Sequence, residues 1–170
     1  LKMAMDSFGI VGHAYRDGEC LDATNDDWYC YYLQGALDKD IIPEEMIEDC
    51  DFTNVTKTLK ESTEKEKAVR ANVNVYTGKF YGDKPITREE MAVIATRCKN
   101  YKMRNWRDWD NERRIPVFSF KDSDEIDEKY ISYVVHAYNL KYIDGMEDGR
   151  FAPKENLTRA QAAVVMNNLK

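Results

Sequence analysis

The sequence predicts a mainly α-helical protein assembled from a repeated unit of helix, loop, short extended piece and second helix. Two observations carry that expectation. Residues 78–94, running from Gly78-Lys79-Phe80 through Thr87-Arg88 to Ile94, align without a gap to residues 149–165 at an offset of 71, with Gly, Phe, Thr, Arg and Ala identical and apolar positions matched elsewhere. Upstream of each copy lies an aromatic-led stretch. Trp28, Tyr31, Tyr32, Gly35 and Ala36 fall at the i, i+3, i+4, i+7, i+8 spacing of a helix face, and Tyr130, Tyr133, Val134, Ala137 and Tyr138 repeat it. Ile41 follows Trp28 by 13 positions, as Ile143 follows Tyr130. Self-similarity at a fixed period is the signature of a chain built from stacked units.

Taken in order, residues 1–14 read as the tail of a first unit. Leu1, Ala4, Met5 and Phe8 repeat the apolar spacing of Met91, Ile94, Ala95 and Cys98, and of Ala162, Val165, Met166 and Leu169. Residues 15–100 form a second unit, with its aromatic helix from Trp28 and its second helix opened by Thr87-Arg88. Its middle loop is longer than that of the last unit by about 31 residues, an insertion at about 43–77. The charged stretch Lys57 to Arg70 within it is expected as a solvated helix, and the alternating Ala71, Val73, Val75 and Thr77 as a short strand. A basic and aromatic linker, 101–117, leads to the last unit, 118–170.

Composition removes several function classes. The chain has 170 residues, 25 Lys+Arg against 31 Asp+Glu, and a net charge of −6, which argues against coating a nucleic-acid backbone. No run approaches the ~20 apolar residues of a membrane span. Leu1 to Asp6 lacks the features of a signal peptide, and the chain is expected to be a fragment or a processed form. Cys20, Cys30, Cys50 and Cys98 show no C-x-x-C pair and no nearby histidine, which removes the usual zinc arrangements; they are buried thiols or one of three disulfide pairings. Asp122 to Glu128 lacks the glycine and glutamate positions of a calcium loop and reads as acid at a helix start. The histidines are His13 and His136, and His136, falling at the position of Gln34, is expected in an exposed or packing role. No catalytic or phosphate-binding motif occurs. The expectation is therefore no enzyme, no cofactor and no metal.

The repeated Thr-Arg pair carries the chemistry. Thr87-Arg88-Glu89-Glu90 and Thr158-Arg159-Ala160-Gln161 both fit the capping box, which explains the threonines structurally. Arginine in a first turn opposes the helix dipole, so its recurrence needs another reason. A guanidinium fork beside free backbone N–H groups suits a carboxylate or phosphate; the alternative is an arginine paired to an acidic residue of the neighbouring unit. Between the units, Arg97 to Arg114 carries a net charge of +4 with Tyr101, Trp106 and Trp109 interspersed. That mixture either lines a groove for an anionic glycan or is a linker with packing aromatics.

These residues resemble the S-layer homology (SLH) domain family. The pattern runs through Phe120-Lys121-Asp122, Tyr130 in the place of the usual Trp, Gly145-Met146-Glu147-Asp148-Gly149-Arg150-Phe151-Ala152-Pro153 and Leu157-Thr158-Arg159-Ala160-Gln161-Ala162-Ala163, about 50 residues. Trp28 and Ile86-Thr87-Arg88-Glu89-Glu90-Met91-Ala92 look like a second, interrupted copy, and Leu1 to Gly9 like the tail of a first. The resemblance implies a pseudo-threefold body of three repeats whose grooves hold a secondary cell-wall polysaccharide bearing pyruvylated sugars. It carries Arg88 and Arg159 over as ligand contacts, Thr87 and Thr158 as the caps that set them, Trp28 and Tyr130 as the aromatic positions, and Gly145 and Asp148 as loop-shaping residues. Glu89, where the family has alanine, is expected to weaken one anion site. The implied protein is a non-catalytic, extracellular anchoring module of a larger protein, without nucleic acid or membrane insertion. A self-assembly or protein-docking module using the insertion is the alternative.

Overall fold

A computed structural model describes residues 1–13, 22–24, 26–59, 69–103 and 120–169. Five α-helices occur among them: α1 (Lys2–Ser7), α2 (Cys30–Asp38), α3 (Arg88–Met103), α4 (Ile131–Asn139) and α5 (Arg159–Asn168). A β-hairpin of β1 (Glu48–Leu59) and β2 (Val69–Lys79) separates α2 from α3. The architecture is mainly helical.

Helices α1, α3 and α5 each touch the other two. The apolar positions matched in the sequence are their buried faces: Ala4, Ile94 and Val165; Met5, Ala95 and Met166; Phe8, Cys98 and Leu169. Around them pack Leu33, Leu37 and Ile41 from the α2 side and Val134, Ile143 and Phe151 from the α4 side. Burial of each such side chain contributes about 1.5–3 kcal/mol, which is what holds short helices that would not persist alone.

The aromatic-led helices correct the sequence alignment by one residue. Both end in a left-handed turn residue, Asp40 (φ 52°) and Lys141 (φ 60°). The next N–H groups, of Ile41 and Tyr142, donate to Ala36 O and Ala137 O, each at 2.8 Å. Ile41 therefore corresponds to Tyr142 and Ile42 to Ile143, and the partner of Tyr130 is Tyr29 rather than Trp28. Tyr29 and Tyr130 are 8% and 3% exposed, whereas Trp28 is 68% exposed. His136 accordingly matches Gly35, not Gln34. The apolar pattern could not choose the register, because Ile41, Ile42, Tyr142 and Ile143 are all buried.

Each extended piece is held by an aspartate upstream of its unit's aromatic helix. Phe80 and Tyr81 N–H donate to the Asp22 carboxylate at 2.8 and 2.6 Å. Phe151 and Ala152 N–H donate to that of Asp122, both at 2.8 Å. Tyr81 (φ 52°) and Ala152 (φ 58°) sit in the left-handed region, which costs a non-glycine residue about 1–2 kcal/mol. Two charge-assisted bonds per carboxylate offset that cost.

The expected solvated helix is replaced by strand. Lys57 to Leu59 belong to β1 and Val69 to Arg70 to β2, while 60–68 lie outside the described residues. The strands pair antiparallel from Phe52↔Tyr76 to Leu59↔Val69, with an irregularity between Glu48 and Asp51. Thr53 pairs with Val75 and Val55 with Val73 in the ladder, and Thr56 and Thr58 add to the β-branched run of β1; such residues favour a pleated backbone over a helix. Cys30 and Cys98 are buried; Cys98 is a free thiol, and burial pushes its pKa up to about 12. Cys20 and the Cys50 side chain, and the linker from residue 104 with Trp106 and Trp109, lie outside what the structure describes.

Candidate functional site

Both capping boxes form. Glu90 N–H donates to Thr87 Oγ1 at 3.3 Å and Thr87 N–H to Glu90 Oε2 at 2.8 Å. Gln161 N–H donates to Thr158 Oγ1 at 3.2 Å and Thr158 N–H to Gln161 Oε1 at 2.9 Å. The two arginines that follow these caps have different surroundings.

Arg88 is 5% exposed. Its Nε donates to Phe151 O and its Nη2 to Asp144 O, each at 2.7 Å, with the guanidinium carbon 5.1 Å from the Phe151 ring centroid. Burial lowers its pKa, opposed by the nearby carboxylates of Glu155, Asp122 and Asp144. The backbone donors expected to be open to an anion are occupied as well: Arg88 N–H bonds Glu155 O at 3.0 Å and Glu89 N–H bonds Pro153 O at 3.2 Å. A bridge between Thr87 and Asn156 completes this seam. The partner from the neighbouring unit is thus main-chain carbonyl, where the sequence suggested a carboxylate. Such partners, 56 and 63 residues away along the chain, have no side-chain signature.

Glu89 does not act on an open anion site. It is 3% exposed, accepts Asp127 N–H at 3.1 Å, and pairs with Lys154 Nζ at 2.6 Å. Lys154 also reaches Asp127 at 2.7 Å. This ion cluster fills the space between the start of α3 and the lead-in to α4.

Arg159 is exposed, and its side chain has no partner among the described residues. The face of α5 around it is open too. Val164 is 59% exposed, whereas Val93, its counterpart at the 71-residue offset, is 0% exposed.

A groove of about 200 Å³ lies between α1, the lead-in to α2, the extended piece and α3, lined by Lys2, Trp28, Tyr29, Tyr81, Lys84 and Glu90 among others. Trp28 meets Tyr29 edge-on at 5.9 Å and leaves a face to solvent. A Cβ at Gly82 would lie 2.2 Å from the Tyr29 ring, so only glycine lets the chain pass beneath it. Phe80, at the place corresponding to the Phe151 seat of Arg88, also lines the groove.

The remaining expected site residues are spread around the last unit. Tyr130 is a core residue: its hydroxyl donates to Glu45 O at 3.2 Å, and burial pushes its pKa upward. Gly145 lies against Phe120, whose ring a Cβ would approach to 2.5 Å. The Asp148 carboxylate accepts Arg150 N–H at 3.0 Å and Arg150 Nε at 2.7 Å, which holds it below the usual carboxylate range. Of the basic segment, Arg97 ties α3 to Asp40 at 2.9 Å and to the Tyr133 hydroxyl at 2.8 Å, and Lys99 bonds Leu169 O at 2.7 Å. Sequence reasoning missed the Asp22 and Asp122 clamps. Their spacing to Tyr29 and Tyr130 differs by one residue, which hides the correspondence from an ungapped alignment.

Among known proteins, the model of the S-layer homology domain matches residues 73–92 and 119–163. The chain is 34% identical over 119 residues to an endoglucanase of Bacillus sp. (strain KSM-635), covering 66% of this chain and 12% of that protein. It is 29% identical over 171 residues to exoglucanase XynX of Acetivibrio thermocellus, covering 98% of this chain and 12% of the relative. Against an amylopullulanase of Thermoanaerobacterium thermosulfurigenes it is 37% identical over 84 residues, 49% of this chain and 4% of the relative. The chain therefore spans a small part of each relative's length. No solved structure matches it.

Proposed function

We propose that this chain, whose residues 73–92 and 119–163 match the S-layer homology domain, is a non-catalytic module anchoring a larger extracellular protein to an anionic, pyruvylated secondary cell-wall polysaccharide. The observation that carries this reading is Arg159: an exposed guanidinium, without a partner among the described residues, on a helix start whose cap is fully formed. The formed cap fixes the backbone that carries Arg159, and the planar guanidinium fork matches a carboxylate in two-point contact. Trp28, with Lys2 and Lys84 in the same groove, supplies a stacking face and positive charge suited to an acidic sugar chain. Arg88, Gly145 and Asp148 act by fixing the Asp144–Phe151 loop, and Tyr130 by filling the core, rather than by touching the glycan. The mutual contact of α1, α3 and α5 supports a pseudo-threefold body. The small share of each relative that the chain spans supports a module within a larger protein.

Cosedimentation with purified cell walls tests the assignment. Arg159→Ala is expected to weaken wall binding about tenfold while shifting unfolding by no more than about 0.5 kcal/mol. Arg88→Ala, which strands two buried carbonyls, is expected to lower stability by roughly 2–4 kcal/mol. If Arg159→Ala and Trp28→Ala both bound walls as the unaltered chain does, the site would be wrongly placed.

A further inference from the structure

The hairpin is a two-stranded sheet, and among the described residues neither outer edge has a strand partner. Beyond β2, the main contact of β1 is the turn Glu44–Met46 at its base. An isolated two-stranded ribbon is marginal in water, and a long open edge is normally blunted by proline or repeated charge. Neither strand contains proline.

The register places Thr53/Val75, Val55/Val73, Lys57/Ala71 and Leu59/Val69 on one face, and Phe52/Tyr76, Asn54/Asn74, Thr56/Asn72 and Thr58/Arg70 on the other. With Asp51/Thr77 at its end, the first face carries six apolar residues, Val55, Leu59, Val69, Ala71, Val73 and Val75, among its ten positions. The two edges differ in charge. β2 carries Arg70 and Lys79 with no acid, so pairing β2 with a second β2 would bring together cations only. β1 carries Glu48, Asp49 and Asp51 near its start and Lys57 near its end, and this order is self-complementary when two such strands run antiparallel. With a two-fold axis at Asn54, Asp51 of each copy stands directly across from Lys57 of the other. Both lie on the face that carries Val55 and Leu59.

We propose that the β1 edge docks a second copy of this chain, forming a four-stranded antiparallel sheet in the order β2-β1-β1-β2. The interface is isologous, so both charge pairs form together and the apolar face doubles in width. The proposal is independent of wall binding.

Sedimentation equilibrium over a concentration series tests it. The unaltered chain is expected to show a monomer–dimer equilibrium. Asp51→Lys and Lys57→Asp alone should each weaken it roughly tenfold or more, because like charges then face each other twice. Combining both changes in one chain should restore it. An equimolar mixture of the two single variants should also dimerise, since one presents cations and the other carboxylates at both positions; that recovery shows that each variant is folded. A chain that stays monomeric throughout, single variants that dimerise normally, or a mixture that remains monomeric would each overturn the proposal.

Discussion

Arg88 and Arg159 hold the same position in their units, yet one is walled in by carbonyl oxygens and the other is open to solvent. A local motif fixes what an arginine can reach only within a turn of itself. The threonine caps were legible for that reason, since their partners Glu90 and Gln161 sit three residues on, whereas the Arg88 contacts depend on how a distant loop folds back. The aspartate clamps are the same kind of case. Asp122 is 5% exposed and accepts two backbone N–H groups, so Asp122→Asn, which turns one acceptor into a donor, is expected to cost about 1–3 kcal/mol in urea denaturation. Asp22→Asn should cost less, because water can reach the half-buried Asp22 site.

Among the elements, α5 and the start of α3 were legible because an apolar stripe and a capping signal agree, while the last turn of α3, through Met103, reads in the sequence as the beginning of the linker. The aromatic-led helices were legible in type but not in register. Consecutive buried residues after each helix match equally well with or without a one-residue shift, and only the left-handed turns at Asp40 and Lys141 decide. The hairpin was half legible. Ala71, Val73 and Val75 alternate clearly, but the charge of Lys57 to Arg70 masked the β-branched run on the opposite strand. The cap of α5 yields a prediction at this scale. Thr158→Ala should lower stability by about 1 kcal/mol and weaken wall binding by loosening the turn that presents Arg159, while Thr158→Ser should preserve both. Parallel denaturation and cosedimentation curves check this.

For the whole molecule, the net charge of −6 describes the bulk surface and not the proposed recognition sites. Single cations at a helix start and in an aromatic groove can select an acidic sugar on an acidic body, since a nearby charge outweighs distant ones beyond the ~8–10 Å screening length. The similarity to the S-layer homology domain and the repeated unit were legible from motifs, and the buried faces of α1, α3 and α5 followed from spacing. Which of the two arginines stayed open was not, because that depends on which helix start is covered by a neighbouring unit. The central claim is recognition of a carboxylate on the wall glycan, and calorimetric titration with purified wall polysaccharide, before and after mild acid has hydrolysed its pyruvate ketals, tests it most directly. The account predicts that binding falls at least about tenfold on removal of the ketals, and that Arg159→Ala then makes no further difference. Unchanged affinity for the stripped polysaccharide would contradict it.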